Sequence, residues 1–274
     1  MSGFLDDMAR SSAARVREAK QRESFAELDV RARRTPPGAE LRLSAAGFDV
    51  IAELKLRSPA AGQLGDRTHD WLGRIAAYAR GGAAAVSVLT EPSRFDGSLD
   101  HLRQAAAVLA PLGVPAMRKD FLVDPYQVLE ARAAGAGGVL VILRMLTPER
   151  IADLLDAAAD HRLFVLLEAF DGADLDLARQ LLASRALHQT ILIGINSRDL
   201  QTLKVVQQRF AELAPLLPEQ SACVAESGVA TPSDAHAMRH LGYRLALIGT
   251  ALMSCDDPAV LLEEILNAAR TLQP

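Results

Sequence analysis

The sequence has 274 residues, half of them apolar, and a formal net charge of −4 at pH 7, so it can bury one large α/β core or two small ones. This acidic balance, without an arginine-rich run, disfavours nucleic acid as the main partner. No long apolar run free of charge occurs and no apolar segment follows a basic start, so we expect a cytoplasmic protein that does not bind a membrane.

Residues 1–46 precede the first predicted strand. Charged residues here alternate with Ala, Leu and Phe at spacings of three or four, which predicts one or two helices, and RRTPPGAE (33–40) reads as a linker. We therefore expect a helical extension over residues 1–46, packed on a catalytic domain formed by residues 47–274.

From residue 49 onwards, short apolar runs alternate eight times with stretches of helical spacing. The predicted strands are 49–55, 84–90, 114–119, 138–143, 163–169, 190–196, 222–227 and 244–252. Helix starts are indicated by Ser98 and by the pairs Asp124-Pro125 and Thr147-Pro148. This alternation predicts a (βα)₈ TIM barrel. A doubly wound open sheet is the alternative, but the first turn, KLRSPAAGQLG, lacks the GxGxxG spacing of that fold.

The C-terminal ends of the predicted strands carry a set of polar and small residues, and in a TIM barrel these ends form the active-site rim. The set comprises Glu53, Lys55, Ser58, Lys119, Glu168, Asn196, Arg198, Glu226, Ser227, Gly249 and Thr250. The chain has four lysines among its 30 basic residues, and two of them, Lys55 and Lys119, belong to this set. Each residue alone could be a solvated loop residue or an ordinary ion-pair partner. Six ionisable groups converging from five strands indicate a functional site.

Two parts of this site can be separated. AESGVATPSDA and LIGTAL, after the seventh and eighth strands, offer open backbone N–H groups before helices, which predicts a phosphate site that Arg198 could assist. Glu53, Lys55, Lys119 and Glu168 form the other part. A lysine out of water has a lowered pKa and nearby carboxylates raise it again, so proton donors and acceptors can coexist near neutral pH. This favours acid–base chemistry on a carbonyl or enamine, with a Schiff-base lysine still open.

The histidines and cysteines do not form a recognisable site. His236 and His240 have i,i+4 spacing but lack HExxH, and we place them on the outer face of the seventh barrel helix. Cys223 and Cys255 lack CxxC partners, so we expect two free thiols, one in a strand and one in a loop. No metal site is predicted.

Between about Val50 and Pro258 the chain resembles the indole-3-glycerol phosphate synthases of tryptophan biosynthesis. The resemblance rests on IAELKLRSPAAG, SVLTEPSRFDGSLDHL, MRKDFLVDPYQVLEARAAGAGGVLVIL, INSRDLQTL, AESGVATPSDA and LIGTALM, in this order. It implies a lyase that converts 1-(2-carboxyphenylamino)-1-deoxyribulose 5-phosphate into indole-3-glycerol phosphate, with loss of carbon dioxide and water and with neither metal nor organic cofactor.

The resemblance also implies roles for single residues. Lys119 matches the general acid that protonates the ribulose carbonyl, and Glu168 matches a base or cation-stabilising carboxylate. Lys55 matches the lysine that contacts the substrate carboxylate and phosphate and acts in dehydration, with Glu53 as its partner. The other matches are Asn196 and Ser58 as orienting groups, Glu226 as a further carboxylate, Arg198, Ser227, Gly228, Gly249 and Thr250 as the phosphate site, and Phe95 as the aromatic wall.

Three positions depart from the family pattern, and two alternatives remain. Ala169 and Phe170 follow Glu168 where many members carry Val-His, and Gly137 stands where an aspartate is frequent. The first alternative is another phosphate-binding barrel enzyme, such as phosphoribosylanthranilate isomerase, which would not need the two lysines and their glutamates. The second is a non-catalytic scaffold paralogue, which the loss of a lysine would have supported. We expect a monomer or a weak homodimer.

Overall fold

A closed barrel of parallel strands forms the centre of the structure, a computed structural model that describes residues 3–58, 62–63, 70–183, 189–200, 202 and 204–271. Its strands, in chain order, are β1 (Asp49–Leu54), β2 (Arg57–Ser58), β3 (Gly62–Gln63), β4 (Ala85–Leu89), β5 (Ala116–Lys119), β6 (Gly138–Ile142), β7 (Phe164–Ala169), β8 (Ile191–Asn196), β9 (Cys223–Glu226) and β10 (Leu245–Ile248). Strands β1 and β4 to β10 close the barrel, with β1 paired to both β4 and β10. Strands β2 and β3 form a small antiparallel ribbon beyond β1. The predicted TIM barrel is confirmed.

Helices cover the outside of the barrel. They are α1 (Gly3–Arg22), α2 (Phe25–Arg34), α3 (Trp71–Arg80), α4 (Pro92–Phe95), α5 (Leu99–Leu109), α6 (Pro125–Ala133), α7 (Pro148–Asp160), α8 (Gly172–Ala183), α9 (Gln208–Leu213), α10 (Pro232–His240), α11 (Thr250–Ser254) and α12 (Pro258–Arg270). The layer that follows the strands is α3, α5 to α10 and α12, while α4 and α11 are short extra helices after β4 and β10. Because helices bury the outer faces of the strands, almost every strand residue is buried.

The predicted helix starts have the expected capping geometry. The side chains of Ser98, Asp124 and Thr147 each accept a hydrogen bond from a backbone N–H in the first turn of α5, α6 and α7. The predicted eighth strand, 244–252, was too long, since β10 ends at Ile248. The apolar run continues because Leu252 and Met253 are buried from the short helix α11, and apolar character alone does not separate a strand from a buried helix.

The N-terminal helices lie directly on the barrel, beside β5 and α6. The Arg15 guanidinium holds both carboxylate oxygens of Asp120, at 2.8 and 2.9 Å. The Gln127 side chain donates to the hydroxyl of Ser12 at 2.8 Å, and the Tyr126 hydroxyl lies against carbonyls at the end of α1. These contacts place α1 over the mouth of the barrel. The division of the chain into an extension (1–46) and a catalytic domain (47–274) remains a proposal.

Replacing Arg15 by alanine is expected to destabilise the fold by about 3 kcal/mol, because it removes a charge partner from the fully buried Asp120. Burial raises the pKa of Asp120, but the hydrogen bond from Arg15 and the charge of Arg118 outweigh it and hold the pKa below the ordinary 3.8. The contribution is therefore present above about pH 4 and is lost as the pH falls through the folded-state pKa. Urea unfolding measures the loss.

The matched control for this prediction is Arg10→Ala. The Arg10–Asp7 pair is well exposed, so its removal should not change the unfolding midpoint. Equal effects of the two substitutions would show that the buried pair does not fix α1 to the barrel.

Gly137, where the family often carries an aspartate, lies at a close approach of two backbones. A Cβ at Gly137 would be 2.6 Å from the carbonyl oxygen of Ala39 and 2.8 Å from Cβ of Pro115. A Cβ at Gly38 would lie 2.7 Å from the backbone nitrogen of Gly137. The segment after α2 thus passes against the start of β6, on the rim away from the strand ends that carry the polar set. The glycine at position 137 therefore affects the packing of this segment and not the polar set.

Candidate active site

A cavity of about 450 Å³ opens at the C-terminal ends of the barrel strands. The predicted site residues that line it are Glu53, Lys55, Phe95, Lys119, Glu168, Asn196, Arg198, Glu226, Ser227, Gly228, Gly249 and Thr250. The side chain of the remaining predicted residue, Ser58, lies outside the described part of the structure, although its backbone pairs with Gly62 in the β2–β3 ribbon. Residues far apart in the sequence are thus gathered around one space.

Two lysines and two glutamates form a charged cluster at the base of the cavity. The Lys119 Nζ atom lies 3.9 Å from Glu53 Oε2 and 3.8 Å from Glu168 Oε2. The Lys55 Nζ atom lies 3.4 Å from Glu53 Oε1 and 3.5 Å from Thr250 Oγ1. Glu53 therefore lies between the two ammonium groups.

In this cluster the opposite charges favour the ionised form of Lys119 and of Glu53, and their effect on the two pKa values outweighs that of burial. Burial lowers the pKa of Lys119, but the carboxylates of Glu168 and Glu53 outweigh it and hold the pKa above the ordinary 10.5. Burial raises the pKa of Glu53, but Lys55 and Lys119 outweigh it and hold the pKa below 4.5. At neutral pH Lys119 is an ammonium ion that can donate a proton, and this disfavours the Schiff-base alternative for Lys119, because that reaction needs a neutral amine.

Asn196, the last residue of β8, connects the charged cluster to the loops after β8 and β9. Its side-chain oxygen accepts hydrogen bonds from the Ser227 hydroxyl at 3.0 Å and from the Arg198 backbone N–H at 2.9 Å. Its amide nitrogen consequently faces Glu168 and donates to Oε1 at 3.2 Å. The carboxylate of Glu168 is held in one orientation, with Oε2 turned towards Lys119.

The loops after β8, β9 and β10 form the part of the cavity that we predicted to hold phosphate. Ser227 and Gly228 have left-handed backbone conformations, with φ of 66° and 85°, and they turn the chain sharply at the end of β9. A left-handed non-glycine residue is uncommon and is often found at functional sites. Gly249 and Thr250 line the cavity at the start of α11, and Arg198 lines it from the loop after β8.

The aromatic wall of the cavity is larger than the sequence indicated. Phe95 lies 6.4 Å from Phe121 between ring centroids, and Phe121 contacts Phe4 of α1 edge-on at 5.8 Å. Phe121 follows the Arg118–Asp120 stretch at the end of β5, so its position on the rim could have been predicted. Phe4 and its neighbour Leu5, which also lines the cavity, could not, because nothing in their local pattern indicates where α1 docks.

The histidine pair and the two cysteines singled out in the sequence do not line this cavity. On α10 the Nε2 atoms of His236 and His240 are 2.9 Å apart, and His240 is exposed. Within the described ranges, no group of three or more His, Cys, Asp or Glu side chains is placed to hold a metal ion. Cys223 in β9 and Cys255 after α11 are free, as predicted. No helix in the described residues has the length and apolar character needed to cross a membrane.

Comparisons with known proteins agree with the geometry. The family model described as indole-3-glycerol phosphate synthase matches residues 5–265. The indole-3-glycerol phosphate synthase of Bordetella pertussis is 38% identical over 97% of this chain and 100% of its own length, and that of a Nocardioides species is 40% identical over 93% and 94%. Among solved structures, 3-hexulose-6-phosphate synthase from Salmonella typhimurium aligns with a TM-score of 0.63 at 12% identity, covering 81% of this chain and 98% of that one. This last likeness concerns the fold alone.

Proposed function

The chain belongs to the indole-3-glycerol phosphate synthase family, and from this membership and the site geometry we infer which residues perform each step of the reaction. The enzyme is a carboxy-lyase of tryptophan biosynthesis. It converts 1-(2-carboxyphenylamino)-1-deoxyribulose 5-phosphate into indole-3-glycerol phosphate. The family match over nearly the whole chain removes the alternative of another phosphate-binding barrel enzyme.

Lys119 is the acid of ring closure. The ring carbon that bears the carboxylate attacks the ketone carbon, and the ketone oxygen takes a proton from the Lys119 ammonium group. The C–C bond to the carboxylate then breaks, carbon dioxide leaves, and the ring regains its aromaticity. Glu168, 3.8 Å from Lys119, offers a negative charge to the cationic intermediate and is placed to accept a proton. The position of Lys119 between Glu53 and Glu168 is the observation that carries this proposal.

Lys55 and Glu53 perform the dehydration. The hydroxyl formed in ring closure leaves as water after taking a proton from Lys55, and Glu53 accepts the proton lost from the neighbouring carbon. Both groups are almost fully buried and their charged atoms are 3.4 Å apart, so they can act on adjacent substrate atoms. Lys55 also contacts Thr250, so it reaches the phosphate side of the cavity.

The other residues that line the cavity orient the substrate. The phosphate lies against Ser227, Gly228, Gly249 and Thr250, where α11 begins, with Arg198 as counter-charge. The anthranilate ring packs on the aromatic wall that includes Phe95. Asn196 holds the carboxylate of Glu168 in the orientation that faces the reacting atoms, and Glu226 lies below those atoms. Ser58 is assigned an orienting role by resemblance.

The experiment that tests this function is a fluorescence assay on the purified protein. We expect a gain of indole fluorescence on adding the carboxyphenylamino-deoxyribulose phosphate, matched by carbon dioxide release and unchanged by a chelator. No gain at high enzyme concentration would favour the non-catalytic scaffold paralogue. A gain abolished by the chelator would contradict the metal-free assignment.

We further place the enzyme in the cytoplasm, because its phosphorylated substrate does not cross membranes and its two cysteines are free thiols. A monomer or weak homodimer without a nucleic-acid partner remains our prediction. Sedimentation velocity at several protein concentrations measures the oligomeric state.

A further inference from the structure

Gly194, on β8, leaves a space that a neighbouring acidic side chain occupies. In the barrel register Gly194 lies opposite Glu168 on β7 and Val224 on β9. A Cβ built at Gly194 would be 1.9 Å from Glu226 Oε1 and 2.9 Å from Glu226 Cδ. The carboxyl group of Glu226, which starts from the end of β9, therefore lies across β8 in the volume of the missing side chain.

Glu226 has no hydrogen-bond donor in the part of the chain that the structure describes. Glu226 is 1% exposed, and both of its carboxyl oxygens are buried without a hydrogen-bond partner. Glu168 Oε1 accepts from Asn196, whereas Glu168 Oε2 is also buried without a hydrogen-bond donor. Because Gly194 is the register partner of Glu168, the Glu226 carboxyl group that occupies the space at Gly194 lies beside Glu168, and two carboxyl groups can hydrogen-bond to each other only if they hold a proton between them.

The charges around Glu226 favour its neutral form. The ionisable groups that act most strongly on it are Glu168 on β7, Glu53 on β1 and Lys119 on β5, and Lys55 and Arg198 line the same cavity. Burial and the charge of Glu168 raise the pKa of Glu226 well above 4.5, and Lys119 opposes this only in part. Lys119 is already paired with two carboxylates, so a third buried negative charge would lack a partner.

We infer that Gly194 is a positioning residue, whose missing side chain lets Glu226 cross β8 and share one proton with Glu168. The Glu226 hydroxyl then donates to Glu168 and leaves that carboxylate charged beside Lys119. The inference rests on the proposed function of Glu168, but the proton can be observed in the resting enzyme without any turnover.

The direct test is infrared difference spectroscopy of the wild type against Glu226→Gln at pH 7. We expect a carboxylic-acid C=O band that shifts in D₂O in the wild type and is absent from the variant. Glutamine is neutral and keeps an N–H donor for Glu168, so the variant should fold. If the wild type shows no such band, the inference is wrong, whereas the fluorescence assay for the enzyme activity would be unaffected.

Gly194→Ala tests the role of the glycine. The added methyl group would displace Glu226, so we expect loss or shift of the same band, about a 100-fold fall in kcat/KM, and a moved acidic limb of its pH profile. The control is Gly172→Ala on α8, where a Cβ meets only Leu216 Cδ1 at 3.4 Å, and no change is expected. A Gly194→Ala protein with the wild-type band and pH profile would overturn the inference. If that variant does not fold, the spectrum of Glu226→Gln still decides.

The stability of Glu226→Gln should depend on pH in a defined direction. Because the folded-state pKa of Glu226 is raised, the wild type loses stability as the pH rises from 4.5 towards that pKa, whereas glutamine does not titrate. The melting temperature of the variant relative to the wild type should therefore increase from pH 4 to pH 8. A constant or decreasing difference would contradict the shared proton.

Discussion

Replacement of Lys119 by alanine is expected to abolish turnover while leaving product binding detectable. Its ammonium group lies 3.9 Å from Glu53 Oε2 and 3.8 Å from Glu168 Oε2, and we infer that it supplies the proton that the ketone oxygen receives. Loss of a general acid costs about 10²–10⁴-fold in kcat. The phosphate loops and the aromatic wall are untouched, so product titration by fluorescence should still give a measurable Kd.

Two further variants separate proton donation from charge. Lys119→Arg keeps the positive charge, but a guanidinium has too high a pKa to donate a proton readily, so it should not rescue turnover. Lys20→Ala removes a lysine of α1 that pairs with Asp124 at the surface, and it should leave kcat unchanged. Near wild-type turnover in Lys119→Ala would remove the assignment of the acid.

Glu168→Gln is expected to lower kcat by about 10²–10³-fold and to change the pH profile. Among the nearby charges Glu168 has the largest effect on Lys119, so its loss should lower the pKa of that lysine. The basic limb of kcat/KM then moves to lower pH, because Lys119 loses its proton earlier. Stopped assays across the basic pH range measure this shift.

The control for Glu168→Gln is Glu263→Gln, an exposed position on α12 outside the cavity. Its kcat and pH profile should match the wild type. A basic limb in Glu168→Gln that stays in place, or that moves to higher pH, would show that Glu168 does not hold the proton on Lys119.

Much of this architecture is predictable because it depends on local patterns. Eight apolar runs between helical stretches predict the barrel, and residues such as Ser98 and Asp124 mark helix starts by their own capping chemistry. The fold then brings the strand ends to one rim, so the polar residues that end each strand locate the cavity. Lys55 and Lys119 stand at two of these strand ends, so their place in the site is predictable without reference to a family.

Other features depend on packing between distant segments. Phe4 reaches the cavity because Arg15 fixes α1 to Asp120, a contact across 105 positions of sequence. Glu226 lies beside Glu168 because Gly194 leaves space on the strand between them. Even the direction of the pKa shift of Lys119 required the structure, since burial and carboxylates act in opposite directions and only their distances decide which prevails.

A crystal structure of the Lys119→Ala variant with substrate bound would show directly whether residue 119 faces the reacting ketone. We expect the phosphate against Ser227, Gly228 and the start of α11, the anthranilate ring on the wall containing Phe95, and the ketone oxygen facing the space left by Lys119. A substrate bound with its phosphate away from these loops, or with its ketone remote from residue 119, would show that Lys119 is not placed to act as the acid of ring closure.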